Sequence, residues 1–134
     1  MTSKTPSNES DLRDDLIALV RKLACAEPTL HDMYDTHLVE NTEILPTIVI
    51  EEFARRFVAI YESSVTDTTA ETRRSAHESV VKIASALEAT LSVDNASWRD
   101  YIKTLFLENL WHAGDFYGPI KQLLGPLARR ALIE

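Results

Sequence analysis

Trp98-Arg-Asp-Tyr-Ile-Lys-Thr-Leu-Phe-Leu-Glu-Asn-Leu-Trp111 carries more large apolar side chains than any other stretch of its length in this chain. At about 100° per residue, Trp98, Tyr101, Ile102 and Leu105 fall on one helical stripe, which Phe106 and Leu110 widen. Leu107 and Trp111 start a second stripe on the far side. A helix apolar on two sides is packed on two sides. The stretch is therefore expected to be the central helix, from 95 to 113, of an all-α, single-domain bundle of about six helices.

C-terminal to it, Gly114 can take the left-handed conformation that ends a helix, and Asp115 to Gly118 reads as a turn. Pro119 opens a last helix that Gly125-Pro126 interrupts. On the other side Asp94 is the expected cap of the central helix. The helix before it shows Thr68-x-x-Glu71, a capping box, followed by His77, Val80, Ala84, Leu87 and Leu91 at spacings of three and four. Two heptads are too few for a coiled coil, and Ala76, Ala84 and Ala89 suit close packing in a globule. Ser63 to Thr69 reads as a loop.

Leu45-Pro46 opens the third helix, continued by Ile48, Val49, Phe53, Phe57, Ile60 and Tyr61. The β-branched run 48–50 would suit a strand, but no partner strand exists and the helical period continues. Thr29 is the expected cap of a second helix reaching about Glu40, with Leu30, Met33, Tyr34, His37 and Leu38 on its apolar face and Asn41-Thr42 closing it. Ser10 is the expected cap of the first helix, whose Leu12, Leu16, Leu19, Val20 and Leu23 recur at helical spacing and which Pro28 ends. Residues 1–9 are polar and aperiodic, a disordered leader before a single helical domain at 10–134.

Composition agrees with helices. A chain of 134 residues with 45% hydrophobic residues buries a core without a staple, and three glycines with five prolines are too few for a loop-rich sandwich. The lone Cys25 excludes a disulfide framework and reads as a small core residue in a reducing compartment. The first ten residues lack the apolar core of a signal peptide and no apolar run is long enough to span a membrane, so a cytoplasmic protein is expected. A net charge of −7 argues against a nucleic-acid binder, which needs a basic face to release counterions. The pairs Arg55-Arg56, Arg73-Arg74 and Arg129-Arg130 are interleaved with acids and read as solvated faces.

Charge is unevenly spread. Between Leu23 and Ala54 there is no lysine or arginine, whereas Glu27, Asp32, Asp35, Glu40, Glu43, Glu51 and Glu52 are acidic. Residues 1–62 hold 12 acids against 6 bases, and the remainder 9 against 8. Such polarity repels itself yet accelerates encounter with a cationic partner. These seven acids, with an exposed Tyr34 as anchor, are the candidate contact residues for a basic protein; the bland alternative is a surface made acidic for solubility.

Catalytic and cofactor signals are weak. His31 and Asp35, with Glu108 and His112, form two pairs at helical spacing that facing helices could combine into a metal site, a minor enzyme alternative. His37, His77 and His112 read first as packed edge residues. No Gly-x-Ser-x-Gly elbow surrounds a serine, Cys25 has no motif, and the glycines do not form a phosphate loop, so no cofactor is expected. Glu51 and Glu52 diverge by about 100° on a helix and do not converge on one substrate. Asn109 returns to the main apolar stripe and is expected to tie down either the loop at Asn41 to Leu45 or that at Asp115 to Gly118.

Leu45-Pro46 at the head of an acid-containing helix, Leu107-Glu108-Asn109-Leu110 near the end of the central one, and Leu124-Gly125-Pro126 followed by Leu127-Ala128-Arg129 together resemble a family of small bacterial all-helical proteins of unknown function. Its relatives look like immunity or immunity-like proteins that accompany polymorphic toxins. The resemblance spans about residues 12–132, with Thr47, Ile48 and Val49 standing where an aromatic and a glycine are associated with the family. It implies an inhibitor acting by binding, not an enzyme, and fits an acidic face that would cover a cationic toxin active site; the expected protein is thus a monomeric or weakly dimeric immunity protein with a basic partner. The alternative is a homo-oligomeric structural or adaptor protein joined through Leu107, Trp111 and the last helix.

Overall fold

Proline sets the helix starts more firmly than side-chain caps do. The computed structural model describes residues 9–133, which form helices and short connections with no strand among them. In order these are α1 (Glu9–Ala24), α2 (Pro28–Glu40), α3 (Pro46–Thr66), α4 (Ala70–Leu91) and α5 (Ala96–Tyr101). The last continues directly into a π-helical segment (Ile102–Leu107) and a 3-10 segment (Glu108–Phe116), followed by α6 (Tyr117–Leu123) and α7 (Pro126–Ile133). Pro28, Pro46 and Pro126 each occupy a first helical position, where a missing N–H costs nothing. The expected leader lies outside the described residues, except for Glu9, which opens α1.

Several expected caps are displaced. Because α2 starts at Pro28, Thr29 lies inside it, and the cap is Glu27, whose carboxylate accepts from the N–H groups of Thr29 (2.8 Å) and Leu30 (3.2 Å). α1 already includes Ser10. No box forms at Thr68: α3 runs on to Thr66, and Asp67 Oδ1 accepts from the Thr69 N–H at 3.1 Å. Asn95, not Asp94, caps α5 by accepting from the Trp98 N–H at 3.1 Å. Asn41 closes α2 as expected, its side-chain amide donating to the His37 carbonyl at 2.9 Å.

The core fills the space around α3 and the 96–116 stretch. Val49, Ile50, Phe53, Ala54 and Phe57 of α3 are buried against α4 and the two segments after α5, with the Phe57 and Phe106 rings 5.7 Å apart. Burying one such ring is worth about 1.5–3 kcal/mol. α1 packs on α2, α3 and α5, held at one end by the Trp98 indole N–H, which donates to the Asp15 carbonyl at 3.1 Å. Burial, then the Asp15 and Asp100 carboxylates, push the nearby Tyr101 phenol above its ordinary pKa.

The second stripe of the central stretch does not survive. Leu107 is fully buried but Trp111 is 63% exposed. An i→i+5 turn brings Leu107 round towards the side of Ile102, and the 3-10 segment then advances about 120° per residue, carrying Trp111 away from Leu107. Trp111 instead donates its indole N–H to the Tyr117 hydroxyl at 2.9 Å. Gly114 breaks the segment with φ 62°, ψ −122°, a conformation open to glycine, while the expected turn at 115–118 is helical. Asn109 ties down neither loop: its amide donates to the Leu105 carbonyl at 2.7 Å, one turn back.

Candidate partner-binding groove

Residues 41–45 reverse the chain, so α2 and α3 lie side by side and leave an open groove of about 800 Å³ between them. α2 contributes Asp32, Met33, His37 and Glu40; α3 contributes Ile48, Glu52, Arg55 and Arg56. Both sets recur every three or four residues, one stripe of each helix. Met33 is half-buried and Ile48 is 44% exposed, giving the groove an apolar strip between charged walls. Among the described residues, no ion pair within 4.0 Å joins Asp32, Glu40 or Glu52 to Arg55 or Arg56.

His37 holds the closed end. It is buried, and its Nε2 accepts the Leu45 N–H at 3.0 Å, which makes Nε2 the unprotonated ring nitrogen. The Asn41 N–H and side-chain amide both donate to the His37 carbonyl. From α1, Arg13 donates to the Ile44 carbonyl at 2.7 Å and pairs with Glu43 at 3.2 Å. The loop that joins the groove walls is thereby held from both neighbouring helices, as expected of a site carried on a rigid frame.

The seven candidate acids do not act together. Asp32, Glu40 and Glu52 line the groove; Asp35 and Glu43 are exposed outside it, beside His31 and Arg13 respectively; Glu51 is half-buried and does not line it. Glu27 is withdrawn from the surface, 3% exposed, because its carboxylate satisfies the first turn of α2. Tyr34 is not an exposed anchor: it is 9% exposed, packed in the core, and its hydroxyl accepts from Arg21 Nε at 3.1 Å, a bond that raises the already high pKa of that guanidinium. The groove residues that sequence reasoning passed over are Met33, Ile48, Arg55 and Arg56. Their signal was the spacing of Ile48, Glu52 and Arg55-Arg56 on one face of α3.

The proposed four-ligand metal set is not assembled. His31, Asp32 and Asp35, all exposed, are the one group of three or more possible ligands that meet among the described residues, with His31 Nδ1 3.3 Å from Asp35 Oδ2; Glu108 and His112 are not part of it. His77 and His112 are exposed rather than packed at the edge of the core, and so is Cys25. Of the residues assigned to a subunit interface, Leu107 is buried within its own domain. Among the described residues, no helix is long and apolar enough to cross a membrane. Comparison of the chain with family models, with curated proteins and with solved structures gives no match.

Proposed function

We propose that this protein is a non-enzymatic binding domain whose α2–α3 groove receives part of another protein, and that its partner is a basic toxin domain which it neutralises as an immunity protein. The observation that carries the reading is the groove itself: an apolar strip at Met33 and Ile48 flanked by Asp32, Glu40 and Glu52, which form no ion pair within 4.0 Å with a lysine or arginine among the described residues. Unpaired acids leave their field available for steering, and the apolar strip supplies contact area that charge alone does not. The family resemblance, an inhibitor acting by binding, supports the same reading.

The test is capture of partners from the host lysate at low and high salt, with Glu40→Lys/Glu52→Lys alongside. Recovery of one stoichiometric basic protein, associating about ten- to a thousandfold more slowly with the variant at low salt, is the expected outcome. A partner whose association is indifferent to the substitutions at every salt concentration would remove the groove from the interface. A second reading, self-association, is favoured by one observation, the 63% exposure of Trp111. Sedimentation of wild type and Trp111→Ala over a range of concentrations separates the two.

A further inference from the structure

His37 meets a proton donor at each ring nitrogen. The Leu45 N–H donates to Nε2 at 3.0 Å, and the side-chain amide nitrogen of Asn41 lies 3.3 Å from Nδ1. The ring is buried, 7% exposed, and no carboxylate of the described residues comes within 4.0 Å of it. A neutral imidazole suits this setting because one nitrogen keeps a lone pair, whereas an imidazolium donates from both nitrogens and finds no acceptor for the second proton. Asn41 can turn its amide to offer its oxygen to Nδ1. The Leu45 N–H has no such freedom: the peptide unit that carries it is held at its other edge by Arg13, which donates to the Ile44 carbonyl at 2.7 Å.

We infer that His37 is a pH-sensitive latch on the connection between α2 and α3: unprotonated, it fixes the 41–45 loop, and protonated, it repels the Leu45 N–H and releases the loop. That N–H has no backbone acceptor to fall back on. In the released loop the ring meets water, where an imidazole takes up a proton near pH 6.5, so acid below about that value favours release. The latch thus contributes stability at neutral pH and loses it as pH falls. The surrounding charges do not offset this. In the groove that His37 lines, α2 and α3 bring Asp32, Glu40 and Glu52 against Arg55 and Arg56. From α1 come Arg13, paired with Glu43, and Arg21, bound to the Tyr34 hydroxyl. Acids and guanidiniums are matched, and ordinary carboxylates keep their charge down to about pH 5.5. The latch acts in the free protein and stands whatever the groove binds; for the groove it means that the joint between the two walls is fixed at neutral pH and loosened in acid.

Amide hydrogen exchange of the full-length protein at about pH 7.5 and about pH 5.5, resolved by residue and corrected for the intrinsic pH dependence of exchange, tests this. Protection of the Leu45 N–H should fall about tenfold in acid, the gain in proton uptake of one imidazole titrating near pH 6.5, while protection of Phe53 within α3 stays the same. In His37→Gln, whose amide oxygen can take the place of Nε2 without titrating, Leu45 protection should not change between the two conditions, although the exposed His31, His77 and His112 still titrate there. Equal protection of Leu45 at both pH values in the wild type overturns the latch, and so does an equal fall at Leu45 and Phe53, which marks loosening of the whole domain. A fall that persists in His37→Gln belongs to another group and overturns it as well. Should that variant not fold, the ring-nitrogen NMR signals of wild-type His37 carry the assignment: Nε2 must gain its proton over the same pH range in which Leu45 loses protection, and either change without the other overturns the latch.

Discussion

α2 and α7 begin in the same way and are capped from different places. Each opens with proline, and in each a single carboxylate accepts the N–H groups of the second and third helical residues: Glu27 those of Thr29 and Leu30, Glu88 those of Leu127 (2.8 Å) and Ala128 (3.2 Å). Glu27 is the residue just before α2. The residue just before α7 is Gly125, which has no side chain, and Glu88 reaches across from α4. A β-carbon on Gly125 would come within 2.8 Å of Glu88 Cγ and closer still to its carboxylate. The first cap costs the chain one local residue. The second makes a helix start depend on two helices being docked, which couples α4 to α7 beyond apolar contact.

Breaking the local cap should be the most damaging. Glu27→Ala leaves two N–H groups unpaired beneath a buried site and should lower stability by about 2 kcal/mol, read as a shift in urea midpoint at unchanged slope. Gly125→Ala should cost about 1–2 kcal/mol by forcing Glu88 off the α7 N-terminus. Glu88→Ala, half-exposed, should cost about 1 kcal/mol. The double variant Glu88→Ala/Gly125→Ala isolates the coupling: with the carboxylate gone, Gly125→Ala should become neutral or stabilise by about 0.4–1 kcal/mol, because Gly125 is not at positive φ. Additive costs would show that the carboxylate and Gly125 are not coupled. The smallest effect belongs to Thr29→Val, which removes a hydroxyl donating to Glu27 at 3.2 Å and should cost about 0.5 kcal/mol, with Thr29→Ser retaining the bond.

These caps also show how far local reading reaches. The apolar periods of α1, α3 and α4 located their buried faces, and Pro28, Pro46, Gly114 and Gly125-Pro126 marked real boundaries. Thr29, Thr68 and Asp94 were attractive caps by residue type, yet competing acceptors lay within one or two residues. Residue type ranks such candidates, and the position of the first helical turn chooses among them. In the groove, the acids of α2 were legible as an excess of one sign. Their grouping was not, because Glu27 and Tyr34 turn inward while Arg55 and Arg56, past the end of the acidic stretch, turn into the groove.

What the amino-acid order determined alone is the all-α class and most of the apolar stripes, since these follow from side-chain period and from backbone restrictions at proline and glycine. Tertiary packing decided the rest. It wound 102–107 as a π-helical segment that buries Leu107 and exposes Trp111, lent Glu88 to a helix 40 residues away, turned His37 on the Leu45 N–H, and set two arginines opposite the acids of α2. The Glu88 cap is the clearest case, because it depends on groups 40 residues apart in the chain meeting at 3.2 Å, a condition no local window of sequence contains.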